Sequence, residues 1–433
     1  MKLQSSLTEE AREKLEQVGK ADILVGIPSY NNERTIGQVV KAVQCGLAKY
    51  FPNHKAMIMN SDGGSTDRTR EIVKQTSIYT DLDTILVEHP VYPARSLAAP
   101  YHGLPGKGSA FKAIFEMAYE LDVSVCVVVD SDLRSITPEW IQLLAGPVLL
   151  KGYDYVAPYY ARHKYDGTIT NSIVYPLTRC LYGRRIRQPI GGDFGFSRKI
   201  LESFLDKDVW GTDVARYGID IWMTTIAINE GFKICQSFLG AKIHDAKDPS
   251  HSLGPMFKQV VGTLFYLMIQ YENNWKNVRG SRPTAMYGFP VGVFPEPVEV
   301  NVELMIEKFK AGVEEHRKFW SSFLPGDTLR ELEKVALLSR QDFNFPSQLW
   351  VKIIYDFAVA YKVFSATQEE ENPSNSPVEK VVSSLVPIYF GRTASFVLET
   401  KDMSTSQAEE VVEKVCLQFE EMKPYLIERW FKE

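Results

Sequence analysis

From residue 22 onward, short apolar runs alternate with amphipathic stretches. Residues 22–27, 55–59, 84–88, 123–129 and 153–157 read as strands, and residues 35–48, 67–75 and 109–121 read as helices between them. Strands separated by helices of this length imply βαβ units and a mostly parallel sheet covered on both faces. The Val-rich run over 123–129 has the continuous apolar character of a central strand. After about residue 300 the period changes. Leu304, Ile306, Phe309, Val313 and Phe319 recur at helical spacing, and further helices are expected over 327–338, 348–364 and 406–430. Residues 367–378, rich in Glu, Asn, Ser and Pro, read as an exposed loop. The expected organisation is an amphipathic helix over 1–20, an α/β region over 21–285 and a helical region over 286–433, whose size suits a homodimer interface.

The 433 residues allow a sizeable core without disulfides. The net charge of −5 argues against a nucleic-acid binder, which carries a basic surplus. Five cysteines, Cys45, Cys126, Cys180, Cys235 and Cys416, are widely spaced and odd in number, which fits a reducing cytoplasm. Cys126 falls in the central strand and reads as core. The apolar stretch over 260–269 is too short to span a bilayer, which takes about 20 apolar residues. No membrane span is therefore expected.

The chemistry gathers where strands end. Asp130-Ser131-Asp132 follows the central strand directly, and ligands of open α/β sheets bind outside the carboxyl ends of strands. Two carboxylates one residue apart suit Mg²⁺ or Mn²⁺, hard ions whose shells are completed by phosphate oxygens. The same residues also fit a solvated turn before a helix. Pro28-Ser29-Tyr30-Asn31-Asn32-Glu33 ends the first strand, and Asn60-Ser61-Asp62-Gly63-Gly64-Ser65-Thr66-Asp67 ends the second. Asp62 can accept from a nucleobase, or the segment is a turn and cap. Gly103-Leu104-Pro105-Gly106-Lys107-Gly108 precedes a helix and suits phosphate. Gly108 stands where a Walker loop needs Ser or Thr, which excludes a P-loop kinase.

In this order the four segments resemble GT-A glycosyltransferases of the family 2 type. The resemblance implies a Rossmann-like, mostly parallel GT-A sheet with a C-terminal helical domain, a nucleotide-sugar donor and a divalent cation. Pro28, Tyr30, Asn32, Asp62, Lys107 and Asp130 would then contact the donor. The second half is similar to retaining glucosylglycerate and glucosyl-3-phosphoglycerate synthases. The matching segments are Asp166-Gly167-Thr168-Ile169-Thr170, Gln188-Pro189-Ile190-Gly191-Gly192-Asp193, Tyr217-Gly218-Ile219-Asp220 and Lys242-Ile243-His244. That likeness makes Asp132 and His244 metal ligands and places Lys242 on the diphosphate. It brings Gly191, Gly192 and Asp193 to the donor sugar, and Asp220 to the acceptor hydroxyl. Asp132, Asp193 and Asp220 become the catalytic carboxylates.

Two departures bear on substrate. Phosphoglycerate users carry Gly-Arg-x-Thr in the acceptor loop, where this chain has Gly167, Thr168, Ile169 and Thr170. Without that Arg a bidentate phosphate partner is missing. The expected acceptor is a small hydroxy acid, D-glycerate, and the expected product is glucosylglycerate, a compatible solute. Arg162, Lys164 and Arg184 are nearby cations that offer to replace the lost charge. Asn32 also stands where an acidic residue often meets the nucleoside, so UDP, GDP and ADP all stay open. The alternatives are a glucosyl- or mannosyl-3-phosphoglycerate synthase, a transferase with another acceptor, or a nucleotide-sugar sensor. A sugar-nucleotide pyrophosphorylase carries a Gly-rich signature with Arg and Lys right after the first strand, which Pro28-Ser29-Tyr30-Asn31-Asn32 does not provide.

Overall fold

The computed structural model describes residues 6–7, 9–77, 84–88, 106–244, 253–289, 295–366 and 376–432. Its strands are β1 (Ile23–Ser29), β2 (Ala56–Asp62), β3 (Thr84–Glu88), β4 (Val125–Val128), β5 (Tyr155–Ala161), β6 (Arg184–Arg185), β7 (Phe194–Ser197), β8 (Ile234–Ala241), β9 (Arg282–Pro283) and β10 (Ala285–Tyr287). Eight form one sheet in the order β10-β8-β5-β7-β4-β1-β2-β3, and β6 pairs with β9 apart from it. All pairings in the large sheet are parallel except those of β7 with β4 and β5.

Side-chain alternation along the strands builds two cores. Ile23, Val25 and Ile27 of β1 face one side, and Leu24 faces the other. The first side is covered by α2 (Ile36–Tyr50) and α5 (Pro138–Lys151), with α3 (Thr69–Ser77) packed beside α2. The second is covered by α4 (Lys107–Glu120), α7 (Arg198–Leu205) and α8 (Ile219–Asn229). The N-terminal helix α1 is Glu9–Val18, and α6 (Tyr175–Tyr182) follows a π-helical turn at Thr170–Val174.

The rest is helical: α9 (Leu253–Gln270), α10 (Glu272–Trp275), α11 (Val302–Trp320), α12 (Gly326–Leu337), α13 (Ser347–Ala366), α14 (Pro377–Thr400), α15 (Thr405–Glu421) and α16 (Lys423–Lys432). Three expectations are corrected here. Helix α14 was not expected. It is buried on most of its faces, so it lacks the polar stripe by which a surface helix is read. Residues 367–375 of the expected loop lie outside the described residues. The helix expected over 406–430 breaks at Met422, because Pro424 has no N–H to continue the ladder. The boundary at 285 does not separate two bodies. Strand β10 crosses it, and one hydrophobic core joins Leu177 of α6 and Phe257, Leu264 and Phe265 of α9 to Trp350 and Tyr389 of α13 and α14.

Helix α14 is also, among the described residues, long and apolar enough to cross a membrane, with a mean hydropathy of 1.4 and 72% of that window buried. Core helices of folded proteins meet the same measure. All five cysteines are free thiols, and Cys126 is buried in β4 as expected.

Candidate active site

The parallel strands β1, β2, β4, β5 and β8 end on one edge of the sheet. Antiparallel β7 starts there, so Asp193, just before Phe194, is delivered beside Asp130, just after Val129. The Asp130 N–H donates to Asp193 Oδ1 at 2.8 Å. Helices α4 and α8 begin on the same edge and bring Lys107 and Asp220. A cleft of about 630 Å³ opens here. Pro28, Tyr30, Asn32, Lys107, Asp130 and Asp132 line it, with Gly191, Gly192, Asp220, Lys242 and His244. Gly167, Thr168 and Thr170 line the same cleft.

Two ammonium groups organise the carboxylates. Lys107 Nζ lies 2.9 Å from Asp130 Oδ1 and 3.5 Å from Asp220 Oδ1. Lys242 Nζ donates to Asp130 Oδ2 at 2.7 Å, the Gly191 carbonyl at 2.8 Å and Asp193 Oδ2 at 2.9 Å. An ammonium has three hydrogens, and those of Lys242, which also lines the cleft, meet three acceptors of the protein, while Lys107 has two carboxylate partners. Burial alone would raise Asp130, but Lys107 and Lys242 outweigh it and hold the carboxyl far below the usual range. Burial drives Asp193 and Asp220 upward, with Lys242 and Lys107 respectively opposing it.

Asp193 is also corrected. It is fully buried and does not line the cleft. It accepts from Lys242, the Asp130 N–H and the Tyr160 hydroxyl, so it holds Asp130 and Lys242 in place. Asp62 is likewise fully buried. Its Oδ1 accepts the N–H groups of Gly64 and Ser65, and its Oδ2 accepts the hydroxyls of Ser65 and Ser29. It fixes the loop after β2. Asn32 lines the cleft, but its Oδ1 is taken by the Tyr30 N–H and the Ser131 hydroxyl.

The glycines flanking Lys107 have a different purpose from the phosphate cradle expected. A Cβ on Gly106 or Gly108 would lie 1.9 Å from the carbonyl oxygen of Ala215 or Val214. The glycines seat Lys107 against the turn that leads to Asp220. Gly103 to Pro105 lie outside the described residues. Gly192 is tighter in function. Its φ is +89°, and a Cβ there would lie 2.0 Å from Asp130 Oδ2. Gly192→Ala is therefore expected to lower transfer about 100-fold, the scale of a 1 Å misplacement. Nucleoside diphosphate release alongside an unchanged circular dichroism spectrum checks this, and a wild-type rate would refute the constraint.

Asp132 and His244 are brought together by an isolated antiparallel bridge between Leu133 and His244. Both line the cleft. No described residue hydrogen-bonds the Asp132 carboxylate, and His244 Nε2 sits 3.8 Å from Asp166 Oδ2. No trio of acidic, His or Cys groups that would hold a metal alone occurs among the described residues. Sequence reading missed Tyr160, whose hydroxyl meets Asp193. It also missed Gln188, which accepts the Tyr160 N–H at 3.1 Å and donates to its carbonyl. The signal was the length of β5, which runs to Ala161 and not to 157.

The mostly parallel sheet covered by helices, with its charged cleft at the strand ends, together with the family match, makes this a glycosyltransferase of the GT-A class, a hexosyltransferase. The family model described as mannosylglycerate synthase, GT domain, matches residues 32–259, more than half of the chain, and the chain belongs to that family. The glucosyl-3-phosphoglycerate synthase of Petrotoga mobilis is 28% identical over 258 residues, 56% of this chain and 72% of that protein. Two crystal structures of glucosyl-3-phosphoglycerate synthase from Mycobacterium tuberculosis are each 24% identical and cover 59% of this chain. The complex with Mn²⁺, UDP and glucosyl-3-phosphoglycerate has a TM-score of 0.44 and is covered over 83% of its length. The complex with Mg²⁺ and UDP has a TM-score of 0.43 and is covered over 82%.

Proposed function

We propose that this chain transfers glucose from UDP-glucose to D-glycerate with a divalent cation, Mg²⁺ or Mn²⁺, and with retention of anomeric configuration. Glucose is the sugar of the glucosyl-3-phosphoglycerate synthases it resembles, and two crystal structures of such a synthase hold UDP with Mn²⁺ or Mg²⁺. The acceptor rests on one observation, the scarcity of cations at the acceptor side of the cleft. Of the three nearby basic residues, Arg162 alone lines it. Lys164 Nζ caps the end of α14 through the carbonyls of Thr400, Lys401 and Met403. Arg184 sits in the separate ribbon opposite Arg282. Arg162 is itself 3.5 Å from Asp166, and its Nε is buried without a partner. One guanidinium matches one carboxylate. A phosphorylated acid would bring further negative charge to a wall where, among the described residues, Arg162 is the one guanidinium.

The donor side requires help with charge. Two ammonium groups, Lys107 and Lys242, stand against four carboxylates, Asp130, Asp132, Asp193 and Asp220. That excess of acidic groups repels a diphosphate. Asp132 and His244 fit a cation that takes its remaining oxygens from the substrate. A bound divalent ion supplies Lewis-acid neutralisation of the departing diphosphate. Lys107 adds its charge beside the same oxygens. Asp220, at the start of α8 with Oδ1 3.5 Å from Lys107 Nζ and without a hydrogen bond, holds the acceptor hydroxyl, while Asp193 and Lys242 keep Asp130 in place.

Release of nucleoside diphosphate from a panel of nucleotide sugars with Mn²⁺ tests the reading. D-Glycerate is expected to drive release from UDP-glucose, and 3-phosphoglycerate to drive it at least tenfold less. The reverse order would overturn the acceptor, and no stimulation by either would overturn both.

A further inference from the structure

The acceptor side of the cleft is held from outside the α/β region. Thr168 Oγ1 lies 2.6 Å from the phenol oxygen of Tyr389, 221 residues away on α14. Both side chains are buried. The Tyr389 ring stacks on Phe257 of α9, with centroids 4.5 Å apart and planes at 29°. Met256 and Val260 of the same helix line the cleft. Thr168 follows Gly167, whose φ of +69° marks a left-handed turn, and precedes the π-helical turn at Thr170–Val174. The Ser172 hydroxyl closes that turn on the Thr168 carbonyl at 2.7 Å.

We infer that Tyr389 is a positioning residue for the acceptor: its hydroxyl fixes Thr168 and with it the loop over 166–170 that meets the hydroxy acid. The inference rests on the reading of this loop as the acceptor loop. Its physical basis is the cost of leaving a buried hydroxyl unpaired. Of the loop's side-chain hydrogen bonds, this one comes from the helical layer, so it couples that layer to substrate. Burial also pushes the Tyr389 phenol up to about 12, which keeps it a neutral partner at any working pH.

The test is Tyr389→Phe, which removes one oxygen and leaves the ring stack. The acceptor KM is expected to rise about tenfold, the scale of one buried hydrogen bond. The donor KM and the acceptor-free hydrolysis of the donor should stay unchanged. Thr168→Val should do the same, Thr168→Ser should behave as wild type, and the double variant Thr168→Val with Tyr389→Phe should be no worse than either single change. Amide hydrogen exchange over 166–172 reads the tie without any acceptor and should be faster in Tyr389→Phe. An unchanged acceptor KM, or equal losses in donor and acceptor KM, would overturn the inference. Unchanged exchange would overturn it even if D-glycerate proves to be the wrong acceptor.

Discussion

Lys242→Met is expected to abolish transfer and to destabilise the fold by about 3–5 kcal/mol, the usual result of removing one partner of a buried charged pair. Lys242 Nζ is the shared partner of Asp130, Asp193 and the Gly191 carbonyl. Without it the buried Asp193 loses its cation and Asp130 keeps only Lys107. Urea unfolding gives the stability and nucleoside diphosphate release gives the rate. Activity near wild type would show that Lys107 alone suffices to hold Asp130.

Asp132→Asn should separate activity from stability. Transfer is expected to fall about 100- to 1000-fold, corresponding to the several kcal/mol that a metal contributes, while the melting temperature stays unchanged. No described residue hydrogen-bonds the Asp132 carboxylate, so the fold loses nothing when it is neutralised. Titration of Mn²⁺ in the presence of UDP should show weakened binding, and chelation of wild-type enzyme should reproduce the loss. A variant with full activity that remained sensitive to chelator would move the cation away from Asp132. His244 shares a bridge with Leu133, so His244→Ala should give a similar kinetic loss with some added change in stability.

The sheet was legible because its strands are apolar on both faces and its helices are not. Residues 123–129 gave away β4, and the strand ends led directly to Asp130 and Asp132. Strand β7 escaped because four residues, Phe194 to Ser197, carry too little pattern to separate strand from turn. That omission hid why Asp193 is buried: an antiparallel strand turns it inward against Asp130. Helix α14 was hidden because burial on most faces removes polar spacing. For the site, residue identity was readable and residue duty was not. Asp62, Lys242 and Asp193 all sit where the motif puts them, yet each makes hydrogen bonds within the protein itself. Only the count of partners in three dimensions tells a group that holds the site from one that meets substrate.

The core that joins α6 and α9 to the C-terminal helices has an evolutionary consequence. The family match stops at residue 259, inside α9, so the inherited transferase unit ends where the helical layer has already taken over its interior. Phe257 belongs at once to that unit and to the packing of Tyr389. Mutations that broaden the acceptor range must pass through side chains that also keep the chain folded. Acceptor preference in such a protein should therefore drift slowly, and change together with its tail.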